Sequence, residues 1–260
     1  MIQNNTSPRI ERKREQRIQS LLQSALELIK QDGLAGLTMQ KLADRQDYAV
    51  GALYRYFKSK DALLAALQRQ ILTAFAEVIH TADQVFIQTQ SDKHLEPKTQ
   101  TIERARALTR LLLASEVYFH LPKICPQRFR LLYEMTFSPQ PLLGLHEGLL
   151  VLQVALPLFK ELEDRFAEAA LVMALSGGTA SQRAILYWSS LQGLLPLEKL
   201  TRFVPGYDLP KLRTELENTL LLGMGAQISD LQAARQNLKT FRTLPQYHVL
   251  FESLSERTQP

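Results

Sequence analysis

An all-α fold is predicted by three features of this 260-residue sequence. Apolar residues recur at helical spacing, as in Ile18, Leu21, Leu22, Ala25 and Ile29. No run of alternating β-branched residues marks a strand. Gly (11) and Pro (12) are few, while 45% of residues are apolar and 22% charged, which suits a soluble chain with a real core.

The elements follow in order. A first helix is expected to start at Ser7-Pro8, with serine as cap and proline at the first helical position. Gly33 then supplies a left-handed residue at its end. Thr38 caps a short helix carrying Met39, Leu42 and Ala43, and a turn around Gln46-Asp47-Tyr48 leads to a third helix through Leu53 and Phe57. Three helices of about 24, 7 and 8 residues within 60 positions make a helix-turn-helix unit.

A long fourth helix begins at Lys60, with Leu64, Leu67, Ile71, Phe75 and Val78 as its buried stripe. The polar stretch Thr89 to Lys98 is expected as a loop. A helix over Thr99–Gln127 is interrupted by Pro122 and Pro126, another covers Gln127–Phe137, and a buried helix runs from Leu142 to Leu175, with Pro157 as a kink point. Helices over Thr179–Leu195, Leu209–Gly225 and Ser229–Phe241 complete the reading. The expected division is residues 8–62 as the helix-turn-helix domain and 63–245 as a larger helical bundle.

Charge is unevenly spread. Residues 1–70 hold twelve Lys/Arg against seven Asp/Glu, an excess of five, equal to that of the whole chain. A basic N-terminal quarter on a neutral body is what a polyanion-binding module predicts. Cys125 is the sole cysteine, which fits a reducing, cytoplasmic compartment. The start MIQNNTSPRIERKREQ lacks the apolar core of a signal peptide, and Leu142–Phe159 is broken by polar residues, so no membrane partner is expected.

The segment from Ala52 to Leu64 carries the most information. Leu53 and Phe57 are four apart, on one helical face, while Tyr54 and Arg55 project elsewhere. Ser59 is a good N-cap, and Lys60 follows at a helix start, where backbone N–H groups are unpaired and phosphate is favoured. Tyr54, Tyr56-Phe57, Lys60 and Leu63-Leu64 together resemble the Tyr-x-Tyr-Phe-x-x-Lys-x-x-Leu-Leu signature of TetR-family transcriptional regulators. The Leu21-to-Ile29 stripe, Gly33, Thr38, Leu42-Ala43 and Gly51 match the same family pattern, so the resemblance covers residues 15–68.

That resemblance implies double-stranded DNA as partner. It puts Thr38, Tyr54 and Lys60 on phosphates, and Tyr48, Ala49, Val50, Gly51 and Ala52 at the leading end of the recognition helix, where base edges are met. Arg45 and Arg55 assist if they reach the groove. Tyr54 and Tyr56 suit DNA contact or the edge of the core. The cluster Arg9, Arg12, Lys13, Arg14 and Arg17 suits a phosphate-tracking arm or a solvated face. The chain also departs from the family. Gln46-Asp47-Tyr48-Ala49 replaces the usual Ala-Gly-Val-Ser turn, so Asp47 must take the positive φ, and Ala49 removes a serine cap. Ala52 stands where threonine is common.

The resemblance further implies a body that binds a small molecule and dimerises. Phe119, Phe129, Tyr133, Phe137 and Trp188 are candidate pocket aromatics for an apolar effector, and equally candidates for plain core. Glu116 and His120, four apart, are spaced to pair. Leu191, Leu195, Leu212, Leu216, Leu220 and Gly223 form small or leucine-rich stripes suited to a four-helix homodimer interface. A dimer would match a pseudo-palindromic operator.

No Gly-x-Ser-x-Gly, His-Glu-x-x-His, Gly-x-Gly-x-x-Gly or phosphate loop is present, so neither an enzyme nor a cofactor or metal is expected. Repression is the family-based expectation, and release by an apolar small molecule is expected because the charge of the body gives no hint of a highly anionic ligand. An effector-independent architectural or cell-division DNA-binding protein is the alternative on the same domain.

Overall fold

The computed structural model describes residues 8–91, 99–204, 206 and 208–258. Among these, the secondary structure is helical throughout: α1 Pro8–Gly36, α2 Met39–Arg45, α3 Val50–Leu53, α4 Lys60–Ser91, α5 Gln100–Ile124, α6 Pro126–Phe137, α7 Leu145–Leu171, α8 Ala180–Leu194, a 3-10 segment Leu195–Arg202, α9 Leu209–Gly223, α10 Ile228–Arg242 and α11 Pro245–Thr258. Ser7, the expected cap of α1, lies outside the described residues.

Two compact units emerge, one of residues up to Ala74 with Cys125–Ala155, the other of Phe75–Ile124 with the chain from Leu156 on. In the first, α1, α2, α3 and the start of α4 close over Leu21, Leu22, Ala25, Leu42, Leu53 and Leu63, all buried. Each such leucine contributes about 1.5–3 kcal/mol by leaving water. The boundary expected at residue 62 and the edge of this unit at Ala74 both lie within α4, which is continuous from Lys60 to Ser91. In the second unit α10 packs along α5. Phe86 meets the edge of Phe241 at 5.4 Å, and Phe166 meets Tyr187 at 5.5 Å.

Several elements differ from the sequence expectation. The third helix is a single turn, Val50–Leu53, and Tyr54–Tyr56 form a turn. α4 continues through Thr89–Ser91. α5 passes Pro122 without ending, and α6 starts at Pro126, where a missing N–H costs nothing. α7 stops at Leu171, short of Leu175, with Met173 at φ 58° just beyond. α7 is also not fully buried. Leu145, Leu149, Leu152 and Leu156, at spacings of four, three and four, are 82, 51, 47 and 60% exposed. Over Lys60–Gln90, α4 is long and apolar enough to cross a membrane, yet half of its most apolar window is buried, as in a core helix.

Candidate functional site

The helix-turn-helix is built from short-range chemistry. Thr38 Oγ1 accepts the N–H of Lys41 at 3.1 Å and caps α2. Ser59 Oγ accepts the N–H of Ala62 at 3.0 Å and caps α4. Between them Asp47 sits at φ 52°, the conformation a glycine usually takes. The N–H groups of Gln46 and Tyr48 both reach the Ala43 carbonyl, at 3.1 and 2.9 Å, which closes the turn. Ala49 occupies the N-cap of α3 without a side-chain bond, so the recognition turn starts uncapped.

Anchors lock the frame from inside. Leu53 is fully buried and Phe57 is 5% exposed, while Tyr54 and Arg55 face solvent and Tyr56 is half-buried. Ala49 and Gly51 are exposed; Tyr48, Val50 and Ala52 are half-buried. Thr38 is exposed too, at the N-cap of α2.

The cations of this unit are tied unequally. Arg45 donates to Glu27 at 2.6 Å and to Gln31 at 3.0 Å. Lys41 pairs with Asp32 at 2.7 Å, and the Lys60 ammonium donates to the Leu34 carbonyl at 3.3 Å. Gln46 is held from both ends, accepting from Ser20 at 3.1 Å and donating to Ser24 at 2.6 Å. The Arg17 guanidinium lies 5.1 Å above the Tyr48 ring. Arg9, Arg12, Lys13, Arg14 and Arg17 are all exposed along the first turns of α1, so the basic cluster is carried on helix. The tethers of Arg45 and Gln46 escaped the sequence reading. Their signal was the polar row on α1 beside the apolar stripe.

The aromatic residues expected to line a pocket divide between the units. Phe129, Tyr133 and Phe137 stack along α6 at 6.4 and 4.7 Å. Phe119 and Trp188 belong to the other unit, where Trp188 meets the edge of Phe159 at 6.5 Å. Phe119 lines a cavity of about 390 Å³ with Pro122, Lys123, Leu195, Leu209 and Arg213, and with Glu198, Asp208 and Pro210. That volume is within the range of small-molecule sites, about 300–1,000 Å³. Arg213 lies over the Phe119 ring at 5.3 Å. Lys123 and Arg213 went unnoticed in the sequence, because only the fold brings the end of α5 to the start of α9.

Arg213 also joins a buried ionic network. Glu116, 2% exposed, accepts from Arg213 at 3.0 Å, from Arg242 through Nε at 2.7 Å and a second contact, and from the Tyr247 hydroxyl at 2.8 Å. Glu217 takes Arg235 at 2.7 Å and bonds to Ser115. Burial pushes the Glu116 carboxyl up, but the hydrogen bond and charge of Arg242, with Arg213 and Tyr247, more than reverse this and leave its pKa lowered. The expected Glu116–His120 pair is not what these contacts show: His120 Nδ1 lies 2.8 Å from the Glu116 backbone carbonyl instead. Two guanidinium groups and a phenol outcompete one imidazole for the Glu116 carboxylate.

Of the expected interface residues, Leu191 is buried, Leu195, Leu212, Leu216 and Leu220 are half-buried, and Gly223 is exposed. On α8 the exposed apolar groups are Ile185, Leu186 and Trp188.

Residues 21–67 match the model of the family described as bacterial regulatory proteins, tetR family. Over 55 residues the chain is 44% identical to the tetracycline repressor protein class C of Escherichia coli, covering 21% of this chain and 25% of that protein. The curated relatives it matches are spanned over only 25–31% of their own length. At the level of fold, a tetR-family regulatory protein from Rhodococcus RHA1 superposes with a TM-score of 0.54 at 16% identity, over 81% of this chain and 97% of that one. The regulator FadR from Bacillus subtilis, in complex with stearoyl-CoA, superposes with a TM-score of 0.53 at 17% identity, over 79% and 98%. With its capped helices and the Asp47 turn, the segment of residues 21–67 is a helix-turn-helix similar to that of the tetR family of bacterial regulatory proteins.

Proposed function

We propose that this chain is a ligand-responsive transcriptional regulator that binds a pseudo-palindromic operator as a homodimer, represses, and is released by a largely apolar small molecule. The observation that carries the reading is the helix-turn-helix itself: Thr38 and Ser59 cap helices on either side of a buried Leu53–Phe57 anchor, with Tyr54 43% exposed. Phosphate contacts fall to Thr38, Tyr54 and Lys60, and base contacts to Tyr48 through Ala52, with Arg45, Arg55 and Tyr56 at the margin. The net charge of residues 1–70 supports the same polyanion.

The effector site is centred on the cavity bearing Phe119, with a ring face and proline and leucine walls. Its rim holds Lys123 and Arg213 against Glu198 and Asp208, so a ligand with strong net charge gains little. A fold neighbour holds stearoyl-CoA, whose acyl chain is apolar and whose CoA head is anionic, so it supports the apolar part of this reading only. The α6 aromatics are a second candidate surface within the first unit, and Trp188 is a separate candidate within the other. Dimerisation is assigned to the end of α8, the start of the 3-10 segment and α9, through Leu195, Leu212, Leu216, Leu220 and Gly223; Leu191, buried within the chain, supports this face from behind. α4, a single helix of 32 residues beginning at Lys60, is the element that carries a ligand-induced shift to the DNA face.

The test is a titration of labelled duplex with the full chain, then with ligands found by thermal shift. Release of specific duplex by a stabilising apolar ligand supports the reading. Strong stabilisation with unchanged DNA affinity removes the effector role and leaves an effector-independent DNA binder.

A further inference from the structure

We propose that one polar face of α1 clamps the turn before the recognition helix, and that Arg17 is a positioning residue that sets which bases Tyr48 reads. The inference rests on the DNA-binding reading above. Arg17, Ser20, Ser24, Glu27 and Gln31 stand at spacings of three, four, three and four, so all five lie on one helical face. Every one engages residues 45–48: Glu27 and Gln31 hold Arg45, Ser20 and Ser24 hold Gln46, and Arg17 covers Tyr48 at 5.1 Å.

The local backbone explains why a clamp is needed. α3 has four residues, too few to fix its own geometry, and its N-cap Ala49 makes no side-chain bond. The turn carries a non-glycine residue at positive φ, Asp47. A turn lacking both the family's glycine and its serine cap takes its conformation from outside, and α1 supplies it. Gln46 is fixed at both ends of its amide, so the chain just before Tyr48 cannot drift. The guanidinium of Arg17 then restricts the ring of Tyr48, whose hydroxyl is the side-chain donor among Tyr48–Ala52. Arg17 thus acts on base choice through Tyr48. This differs from a plain phosphate contact, which carries no sequence information.

The two roles are separated by base-by-base affinities. The full chain is first used to enrich its preferred duplex from a random pool. Affinities for that duplex and for each single base-pair change are then measured with wild type, Arg17→Gln, Arg17→Lys, Tyr48→Leu and the double variant. Arg17→Gln is expected to flatten discrimination about two- to fivefold at the same positions that Tyr48→Leu flattens. The double variant is expected to be no flatter than Tyr48→Leu alone, and Arg17→Lys to restore part of the preference. Arg17 is exposed, and thermal melts of each variant check that the fold persists. A uniform loss on all duplexes, with the salt slope reduced by about one and base preference intact, overturns the positioning role and makes Arg17 a phosphate contact. If the wild-type chain enriches no duplex, the DNA-reading function itself fails.

Discussion

The ammonium of Lys60 donates to the carbonyl of Leu34 at 3.3 Å, fastening the first residue of α4 to the end of α1 just past the positive-φ Gly33. Carbonyls at a helix end lack intrahelical partners, so this bond answers a local need as well as placing a cation beside the α4 N-terminus.

Lys60→Ala is therefore expected to do two things. Unfolding free energy falls by about 1 kcal/mol, the worth of a partly buried hydrogen bond. Affinity for specific and random duplexes falls by the same factor, with a salt slope lower by about one. Denaturant melts and salt-dependent titrations check both; a stability loss with an unchanged slope makes Lys60 a strut only.

Asp47→Gly is expected to stabilise the protein by up to about 1 kcal/mol, since glycine adopts φ 52° without the side-chain clash. A measured loss of stability would show that the Asp47 carboxylate contributes more than its backbone strain costs.

Glu116→Gln is expected to cost about 1.5–3 kcal/mol, because Arg213 and Arg242 lose a charged acceptor, while Arg242 stays partly solvated and Arg213 keeps Glu217. Tyr247→Phe removes one hydrogen bond and costs about 1 kcal/mol. The pH dependence follows from the lowered pKa of Glu116. Its stabilising contribution is complete above the unfolded carboxyl value of about 4.3 and is lost as pH falls through the lower folded value. Wild type should lose stability on acidification through this window more steeply than Glu116→Gln, as read by melts in a pH series.

Cys125 is 4% exposed, and burial pushes its thiol up to about 11. Native protein is expected to react slowly with thiol reagents near pH 8 and to become reactive on denaturation, because the thiolate is the nucleophile. Fast labelling of the native chain would contradict this burial.

The legible parts of this molecule were those set by neighbours in sequence. Thr38 and Ser59 cap as their spacing implies, Gly33 and Asp47 take positive φ, and the Leu53–Phe57 pair turns inward. Length was harder to read. The recognition helix is one turn, closed by the N–H groups of Tyr56 and Phe57 on the Leu53 carbonyl, a tight ending that the sequence pattern did not mark. The Glu116 network lay out of reach because its partners are 97, 126 and 131 residues away. The 3-10 segment, only eight residues long, and α11 went unforeseen. The cavity at Phe119 was foreseen in one residue only, since its walls come from α5, the 3-10 segment and α9.

The central claim is that the α1–α4 start reads DNA by sequence. Its most direct measurement is sequencing of random duplexes retained by the purified chain, with affinities of enriched and unselected duplexes compared at fixed salt. The account predicts an enriched inverted repeat whose half-sites lie about 34–36 Å apart, bound far more tightly than unselected duplex, with the preference weakened by Tyr48→Leu. Equal affinity for selected and unselected duplexes, with no enriched repeat, would contradict it.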